Sequence, residues 1–300
     1  MTPQKRLLFI IILTALWSPS FLFIKLAIEE LPPMTIVALR VLIGALGLSF
    51  LLLWKKRSLP SNPLFWTHSM VMAIMGAVVP YSLFCYAEET IESALAAILN
   101  GCSPMFTAFL AHLFLSSDRL HPQKAAGIAI SLFGLLLLFA PNIANGLSGS
   151  TTGIMAATFG TFCYAMSHVY AKKHLTGQIP LIAPAAQLIC SSLVLIPLSL
   201  YVETPLSLPF PSLTAIAGVL GLGILGSFFA YIIYYHLIEN CGPTAISMVA
   251  CFFPAGGILL GYLFLGESLS GSSLIACSLI FAGMAIVNDL VDLRLGARTN

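Results

Sequence analysis

The chain has 300 residues, of which 59% are hydrophobic and only 8% are charged. A soluble domain usually carries about 25% charged residues, so this composition argues against a protein surrounded by water and favours lipid as the solvent. The net charge of +2 gives no electrostatic basis for binding nucleic acid.

The N-terminal segment has two possible interpretations. Lys5 and Arg6 precede an apolar run that begins at Leu7, as they would in a signal peptide. The run continues to about residue 28, which is long enough to cross a bilayer. We therefore interpret it as a first membrane helix that is retained.

Apolar runs of membrane-spanning length follow one another along the chain, separated by short connections. The predicted spans are residues 7–28, 33–54, 65–86, 92–115, 123–141, 153–173, 181–202, 211–237, 243–265 and 271–290. A closed barrel would require alternating strands of about ten residues instead, and helices are the other structure that satisfies the backbone in lipid. The sequence therefore predicts an all-α integral membrane protein with ten transmembrane helices.

The basic residues predict the orientation of these helices. If the N-terminus lies in the cytoplasm, the cytoplasmic segments hold 11 of the 13 Lys and Arg residues, namely Lys5, Arg6, Lys55, Lys56, Arg57, Arg119, Lys124, Lys172, Lys173, Arg294 and Arg298. The external loops instead carry Glu29, Glu30, Glu88, Glu89, Glu92, Glu203 and Glu267. Since Lys and Arg are enriched in cytoplasmic loops, we predict an inner-membrane protein with a cytoplasmic N-terminus and a cytoplasmic tail at residues 291–300.

The chain matches itself when it is shifted by about 150 residues. The shift places Gly76 on Gly226, Tyr81 on Tyr231, and Pro104 on Pro254, and related shifts place Ser20 on Ser167 and Gly134 on Gly283. These matches predict two repeats, at residues 1–141 and 153–290. Each repeat holds five spans, and because five is odd the second repeat is inverted, which is a recurring plan of transporters.

Several motifs resemble those of one transporter family. The first span carries Trp17-Ser18-Pro19-Ser20-Phe21 followed by Lys25, Arg40 lies early in the second span, and two later spans end in Phe114-Leu115 and in Phe264-Leu265-Gly266-Glu267. Together they resemble the EamA branch of the drug/metabolite transporter superfamily over essentially the whole chain. The sequence departs from the family pattern at Ser18, where glycine is usual, and at Ser116-Ser117-Asp118, where Gly-Glu is usual.

The resemblance implies ten spans, a central cavity and the transport of small organic solutes. It does not imply one substrate, because the family handles amino acids, nucleotide-related compounds and drugs.

Apart from the basic residues assigned to cytoplasmic segments, two cations lie inside predicted spans, where charge is costly and therefore invites a functional hypothesis. Lys25 is expected either to pair with Glu29, four residues along the same helix, or to bind a substrate carboxylate. Arg40 lies about 10 Å below the outer interface at 1.5 Å per residue. Its guanidinium is expected either to brace the first span or to bind a carboxylate or phosphate through two hydrogen bonds.

Other polar and aromatic side chains are candidates for lining a binding site. Asn100, Ser103 and Thr107 recur at i, i+3 and i+7 and predict one polar stripe, which either bonds to neighbouring helices or faces the solute. The remaining candidates are Trp17, Ser20, Tyr81, Tyr164, Ser167, His168, Tyr231, Tyr234 and Tyr235. Aromatic and hydroxyl groups that converge from both halves would suit an amphipathic solute.

Pro104 and Pro254 lie inside predicted spans at matched repeat positions. Proline removes a helical hydrogen bond and favours a kink. We therefore predict that these two residues are gating hinges.

Catalytic and cofactor chemistry finds no support in the sequence. The seven cysteines form no Cys-x-x-Cys pair, and no zinc or other metal site is predicted. The run Gly221-Leu222-Gly223-Ile224-Leu225-Gly226 matches a dinucleotide fingerprint, but it lies inside a predicted span rather than after a strand. We predict no catalytic residue, no cofactor and no ATP-binding site.

The sequence therefore favours a secondary transporter of a small polar organic metabolite that works by alternating access, with exchange as one mode. Amino acids head the expected solutes, followed by derivatives such as S-adenosylmethionine. One alternative is an exporter of drugs or nucleotide-related metabolites. Alternatives of another class are an intramembrane enzyme and a structural or receptor-like membrane protein. The expected partners are a small-molecule solute and the lipid bilayer. The oligomeric state is left open.

Overall fold

A computed structural model describes residues 3–115, 120–144, 149–174, 181–241, 243–267 and 271–287 of the chain. Within these ranges the backbone forms helices and turns and no strand. The prediction of an all-helical protein is confirmed. The predicted C-terminal tail at residues 291–300 lies outside the described residues.

The described residues of the first half form eight α-helices. They are α1 (Pro3–Trp17), α2 (Ser20–Ile28), α3 (Pro33–Trp54), α4 (Pro63–Ala73), α5 (Val79–Glu88), α6 (Ser93–Gly101), α7 (Ser103–Phe114) and α8 (Pro122–Ala144). A π-helical segment, Ile74–Val78, joins α4 to α5 without a turn. We call it the first π segment.

In the second half, the part of the chain that the structure describes forms six further α-helices. They are α9 (Gly149–His174), α10 (Ile182–Val202), α11 (Leu213–Leu220), α12 (Ala230–Cys241), α13 (Pro243–Leu260) and α14 (Gly271–Val287). A second π segment, Gly221–Phe229, joins α11 to α12, and a third, Gly261–Leu265, extends α13. The glycine-rich run that begins at Gly221 is thus helical on both sides, which is the wrong context for a dinucleotide fingerprint.

Several helices begin where the sequence places a proline or a capping side chain. Pro33 and Pro63 occupy the first turns of α3 and α4, where a missing N–H costs no helical hydrogen bond. The side chain of Asn62 accepts a hydrogen bond from the backbone of Leu64 at 2.9 Å, and Ser212 caps α11 in the same way through the backbone N–H of Ala215. These caps satisfy backbone donors that a helix start leaves free.

Among the described residues, six helical stretches are long and apolar enough to cross a membrane: Gln4–Ile28, Pro33–Trp54, Pro63–Glu88, Ser93–Phe114, Ile182–Val202 and Leu213–Tyr234. Three shorter apolar helices, Pro122–Leu138, Phe252–Leu265 and Gly271–Val287, coincide with predicted spans. The predicted span 153–173 lies in α9, whose threonines and basic C-terminal end lower its mean hydropathy. The count of ten spans therefore stays a prediction.

The two halves pack into each other rather than side by side. Helix α3 packs along α10, α5 along α9, and α8 along α14. Buried side chains from both halves, including Ile36, Leu48, Leu188 and Leu222, belong to one continuous hydrophobic core. This interpenetration places the first and second π segments in the same core region.

Candidate functional site

An aromatic cluster joins the two halves at the centre of the core. The hydroxyl groups of Tyr81 and Tyr231 lie 3.1 Å apart and share a hydrogen bond. The ring of Tyr164 lies 6.0 Å from that of Tyr81, Tyr234 lies 6.4 Å from Tyr231, and Trp17 lies 5.6 Å from Tyr234. The structure thus brings together five of the predicted site residues in one row of aromatic rings.

Arg40 lies against this row. Its guanidinium carbon is 3.9 Å from the centre of the Tyr81 ring, within the range of a cation–π contact. Its Nε donates to the hydroxyl of Ser227, in the second π segment, at 3.2 Å. Arg40 is only 6% exposed, so the guanidinium is positioned inside the protein and does not extend to its surface.

Ser20 and Gly226 complete the surroundings of Arg40. A Cβ atom built on Gly226 would lie 3.2 Å from Ser20 Oγ and 3.6 Å from Arg40 Nη2, so the absent side chain allows all three residues to approach. The indole Nε1 of Trp17 donates to the carbonyl of Gly226 at 3.1 Å. We call Ser20, Arg40 and Gly226 the Arg40 corner.

A second group of residues repeats this arrangement beside the first π segment. A Cβ atom on Gly76 would lie 3.0 Å from Gln187 Nε2 and 3.3 Å from Ser167 Oγ. Gln187 is 5% exposed, and its Nε2 donates to the carbonyl of Met72 at 3.2 Å. We call Gly76, Ser167 and Gln187 the Gln187 corner.

The two corners consist of residues at matched repeat positions. Gly76 and Gly226 are 150 residues apart, and Ser20 and Ser167 are 147 apart. The same 147-residue shift places Arg40 on Gln187, a residue that the sequence analysis missed. The repeat shift is the signal that points to Gln187, since the two side chains differ in residue type and in charge.

The predicted stripe of Asn100, Ser103 and Thr107 does not follow one continuous helix, because α6 ends at Gly101 and α7 begins at Ser103. The hydroxyl groups of Ser103 and Thr107 are buried and have no hydrogen-bond partner among the described residues. The structure therefore does not show this stripe bonding to neighbouring helices.

Two other predicted site residues, His168 and Tyr235, are not part of the described cluster. Ser167 is buried, and its hydroxyl donates to the carbonyl of Tyr164 at 2.7 Å, but the next residue, His168, is exposed. The side chain of Tyr235 lies outside the described residues.

The two predicted hinge prolines differ in their local structure. Pro104 occupies the first turn of α7, directly after the break at Cys102, rather than the middle of a helix. Pro254 lies inside α13, and a Cβ atom on Gly101 would be 2.6 Å from its Cγ. Pro254 therefore packs on the break of the other half, and the gating role of both prolines stays a prediction.

The predicted pairing of Lys25 with Glu29 was wrong, and binding of a substrate carboxylate by Lys25 stays a prediction. Its Nζ donates to the backbone carbonyls of Glu88 at 2.6 Å and Ile91 at 3.0 Å rather than pairing with Glu29. Glu88, predicted in an external loop, is fully buried at the end of α5. Both of its carboxylate oxygens lack a hydrogen-bond partner among the described residues.

Three of the glutamates predicted in external loops bind the starts of distant helices. Glu203 accepts bonds from the backbone N–H groups of Met34 and Thr35 at 2.8 and 2.7 Å. Glu267 accepts from the backbone N–H groups of Ser93 and Ala94, and Glu30 accepts from Ser212. Negative charge at a helix start is favourable because it meets free N–H groups and the positive end of the helix dipole.

The described residues contain no group of three or more His, Cys, Asp or Glu side chains that could hold a metal ion. Cys85, Cys102, Cys163, Cys190 and Cys277 are buried free thiols. What the central cluster offers chemically is a set of aromatic faces with a buried cation, a buried amide and hydroxyl groups. Such an arrangement can bind an amphipathic molecule noncovalently.

Comparisons with known proteins cover nearly the whole chain. The model of the EamA-like transporter family matches the chain twice, at residues 4–140 and 151–289. The uncharacterized inner membrane transporter YedA of Escherichia coli is 28% identical over 91% of this chain and 87% of its own length. Protein PecM of Dickeya dadantii is 29% identical over 84% and 83% of the two chains.

A further relative is named as a probable amino-acid metabolite efflux pump, from Salmonella typhimurium, and is 25% identical over 92% of both chains. One solved crystal structure matches over the full length of both chains with a TM-score of 0.67 and 20% identity, which shows a shared fold. The family and the names of these relatives are those of transporters and not of enzymes. Since the two family matches together cover nearly the whole sequence, the chain belongs to the EamA-like transporter family.

Proposed function

We propose that the protein is a secondary transporter that moves a small polar organic metabolite across the inner membrane by alternating access. The observation that carries the proposal is the hydrogen bond between Tyr81 and Tyr231 at the interface of the halves. These tyrosines are 150 residues apart, and a contact between repeat mates is expected on the axis that relates two inverted repeats. A binding site on such an axis is shared by both halves.

The proposed arrangement is ten spans in two inverted repeats of five, with both termini in the cytoplasm. Contacts between the halves support this arrangement, because a helix contact recurs between the repeat-matched helices with the two halves exchanged. Helix α9 packs on α5, and in the matched positions α1 and α2 pack on α12 and α11. The two π segments and the two corners also recur at the repeat distance.

This symmetry supplies a mechanism. When one half adopts the conformation of the other, the two ends of the site exchange their exposure to the two sides of the membrane. Since π segments often lie at functional sites, we propose that the segments around Gly76 and Gly226 deform during this exchange. The driving force is the gradient of the solute or of an exchanged solute, without ATP.

The proposed solute is an amino acid or an amino-acid derivative such as S-adenosylmethionine. The aromatic row offers flat apolar faces, and the polar groups next to it offer hydrogen bonds to an amino-acid head group. The relative that is named as a probable amino-acid metabolite efflux pump supports the same class of solute.

The proposal is tested by flux into proteoliposomes that contain the purified protein. A panel of labelled amino acids and S-adenosylmethionine is compared with protein-free liposomes, and we expect saturable flux of at least one member. Tyr81→Phe should reduce that flux because it removes the hydroxyl contact between the halves. Tyr86→Phe is the matched control, because Tyr86 lies on the same helix but is exposed. Absence of protein-dependent flux for every member of the panel would overturn the proposed solute class.

A further inference from the structure

The Arg40 guanidinium is a buried cation with unused donors. Within the part of the chain that the structure describes, its hydrogen bonding is limited to the 3.2 Å contact from Nε to Ser227. The stacking on Tyr81 attracts the charge without using the Nη groups. A buried charge is costly unless an opposite charge or hydrogen bonds compensate for it, so the two Nη groups are suited to a further, anionic partner.

Ser20 gives a second and independent sign of a missing ligand. Ser20 is 6% exposed, and its hydroxyl is buried without a hydrogen-bond partner among the described residues. It lies on the same side of Gly226 as Arg40 Nη2. An unsatisfied buried hydroxyl costs free energy, and next to a guanidinium it is placed to donate to the same acceptor.

The Gln187 corner has the same geometry but is already satisfied. The Gln187 amide donates to the carbonyl of Met72, and the Ser167 hydroxyl donates to the carbonyl of Tyr164. The amide also carries no charge. The unsatisfied donors and the charge are therefore confined to one of two otherwise matched corners.

We propose that the Arg40 corner is the anion subsite of the transporter and binds a carboxylate of the solute, while the Gln187 corner faces a neutral part of it. This inference rests on the proposed function for the identity of the site, and it deepens that function by naming the group that is recognised. A guanidinium presents a planar fork that matches the two oxygens of a carboxylate. The difference between the corners would orient every bound solute in the same way.

A carboxylate fits this corner better than a phosphate does. A phosphate monoester carries close to two negative charges at neutral pH, and the corner supplies one cation. Lys25, the other cation that lies inside a predicted span rather than in a cytoplasmic segment, donates to the carbonyls of Glu88 and Ile91. One guanidinium and one hydroxyl are sufficient for a single carboxylate.

The test uses Trp17 as a reporter, because its indole is bonded to Gly226 inside the corner. The chain has three tryptophans, so Trp54→Phe with Trp66→Phe leaves Trp17 as the single indole. The purified protein in detergent is titrated with phenylacetate and, separately, with phenylacetamide. These probes share a ring and a shape and differ in charge.

We expect phenylacetate to change the Trp17 fluorescence at a concentration about ten-fold lower than phenylacetamide, as one charge-assisted contact would give. Arg40→Gln should abolish this preference. Glutamine is a suitable replacement because it already occupies the matched position 187. Arg57→Gln, which alters an exposed arginine, should leave the preference unchanged.

Arg40→Lys provides a second variant that retains the charge but loses the planar fork, and we expect it to retain part of the preference. An equal response to both probes, a response to neither, or a preference that survives Arg40→Gln would overturn the anion subsite. The flux assay separates this result from the proposed function. Preference without flux would contradict transport alone, and flux without preference would contradict the anion subsite alone.

Discussion

Two kinds of contact connect distant parts of this chain, and they differ in how much movement they tolerate. Helices α8 and α14 meet backbone to backbone through glycines. The starts of α3, α6 and α11 are instead held by the carboxylates of Glu203, Glu267 and Glu30, which come from distant segments. Both kinds link residues that are more than 100 positions apart, but they do so with different chemistry.

The contact between α8 and α14 leaves no room for a side chain. A Cβ atom on Gly283 would lie 2.5 Å from the carbonyl oxygen of Gly127 and 2.6 Å from the backbone nitrogen of Ser131. A Cβ atom on Gly134 would lie 2.8 Å from the carbonyl oxygen of Ala276. In lipid, such close packing of small residues is a main source of helix association.

The carboxylate contacts are groups of hydrogen bonds. Glu267 accepts three, from Ser93 N and Ser93 Oγ at 2.8 Å and from Ala94 N at 2.9 Å. Glu203 also accepts three, one of them from the Thr35 hydroxyl at 2.7 Å. Water can replace each of these bonds, whereas nothing can replace a backbone contact that is forced apart. The glycine contact therefore suits a fixed pair of helices, and the glutamate contacts suit helix ends that separate.

The largest effect is expected at the glycine contact. Gly283→Ala forces a methyl group into the α14 side of that contact, and overpacking of this kind costs about 1–3 kcal/mol and occasionally more. We expect the upper end of that range because the obstructing atoms belong to the backbone. Thermal unfolding in detergent measures the loss.

Gly271→Ala is the control for this substitution. It changes the first residue of the same helix, where nothing lies within 4 Å of the added Cβ atom, and its melting temperature should be close to that of the parent protein. Equal melting temperatures for the two variants would mean that α8 and α14 are not in backbone contact.

A smaller effect is expected from Glu267→Gln. The amide retains one acceptor oxygen but places an N–H group against donors at the start of α6. Losing hydrogen bonds to a charged group costs about 1.5–3 kcal/mol, and partial exposure should reduce that amount. Glu89→Gln is the control because Glu89 is exposed at the end of α5. If both variants have the same melting temperature, the carboxylate of Glu267 does not stabilise the start of α6.

The positions of the helices could largely be predicted from the sequence, because apolar length is a local property. The helix α3, for example, coincides with the predicted span 33–54. The partners of charged groups could not be predicted from local spacing. The spacing of four residues predicted a pair between Lys25 and Glu29 within one helix. Lys25 instead donates to carbonyls more than 60 residues away.

The candidate site could be predicted in part. Tyr81 and Tyr231 were predicted from the repeat, and their contact follows the same repeat. Gln187 was missed because an apolar helix gives a single glutamine no periodic signal, and Arg40, its repeat mate, differs from it in charge. Alignment of the repeats identifies which positions match. The difference in charge and in hydrogen bonding between the two corners is visible only when the neighbours of both are known from the structure.

A still smaller effect, with a pH dependence, is expected at Glu30. The Ser212 hydroxyl and then the Ser212 backbone N–H lower the pKa of this carboxyl group from its usual 4.5. A lowered pKa in the folded state adds stability above the unfolded pKa, and that stability is lost as the pH falls through the folded value. The melting temperatures of Glu30→Gln and the parent protein should therefore differ at neutral pH and converge in acid. A constant difference between Glu30→Gln and the parent protein at every pH would contradict the assignment.

The smallest effect is expected at Glu92, and it has the opposite sign. Partial burial of its carboxyl group raises the pKa of Glu92 above 4.5, the charge of Glu267 raises it further, and Lys25 acts against both. Because a raised pKa means that the charged form is disfavoured in the folded state, stability is complete below the unfolded pKa and declines as the pH rises through the folded value. Glu92→Gln should therefore raise the melting temperature slightly at neutral pH and have no effect in acid. Since Glu267 is one cause, the gain should shrink when Glu92→Gln is combined with Glu267→Gln; an undiminished gain in the double variant would show that the two carboxylates on the α6 start do not interact.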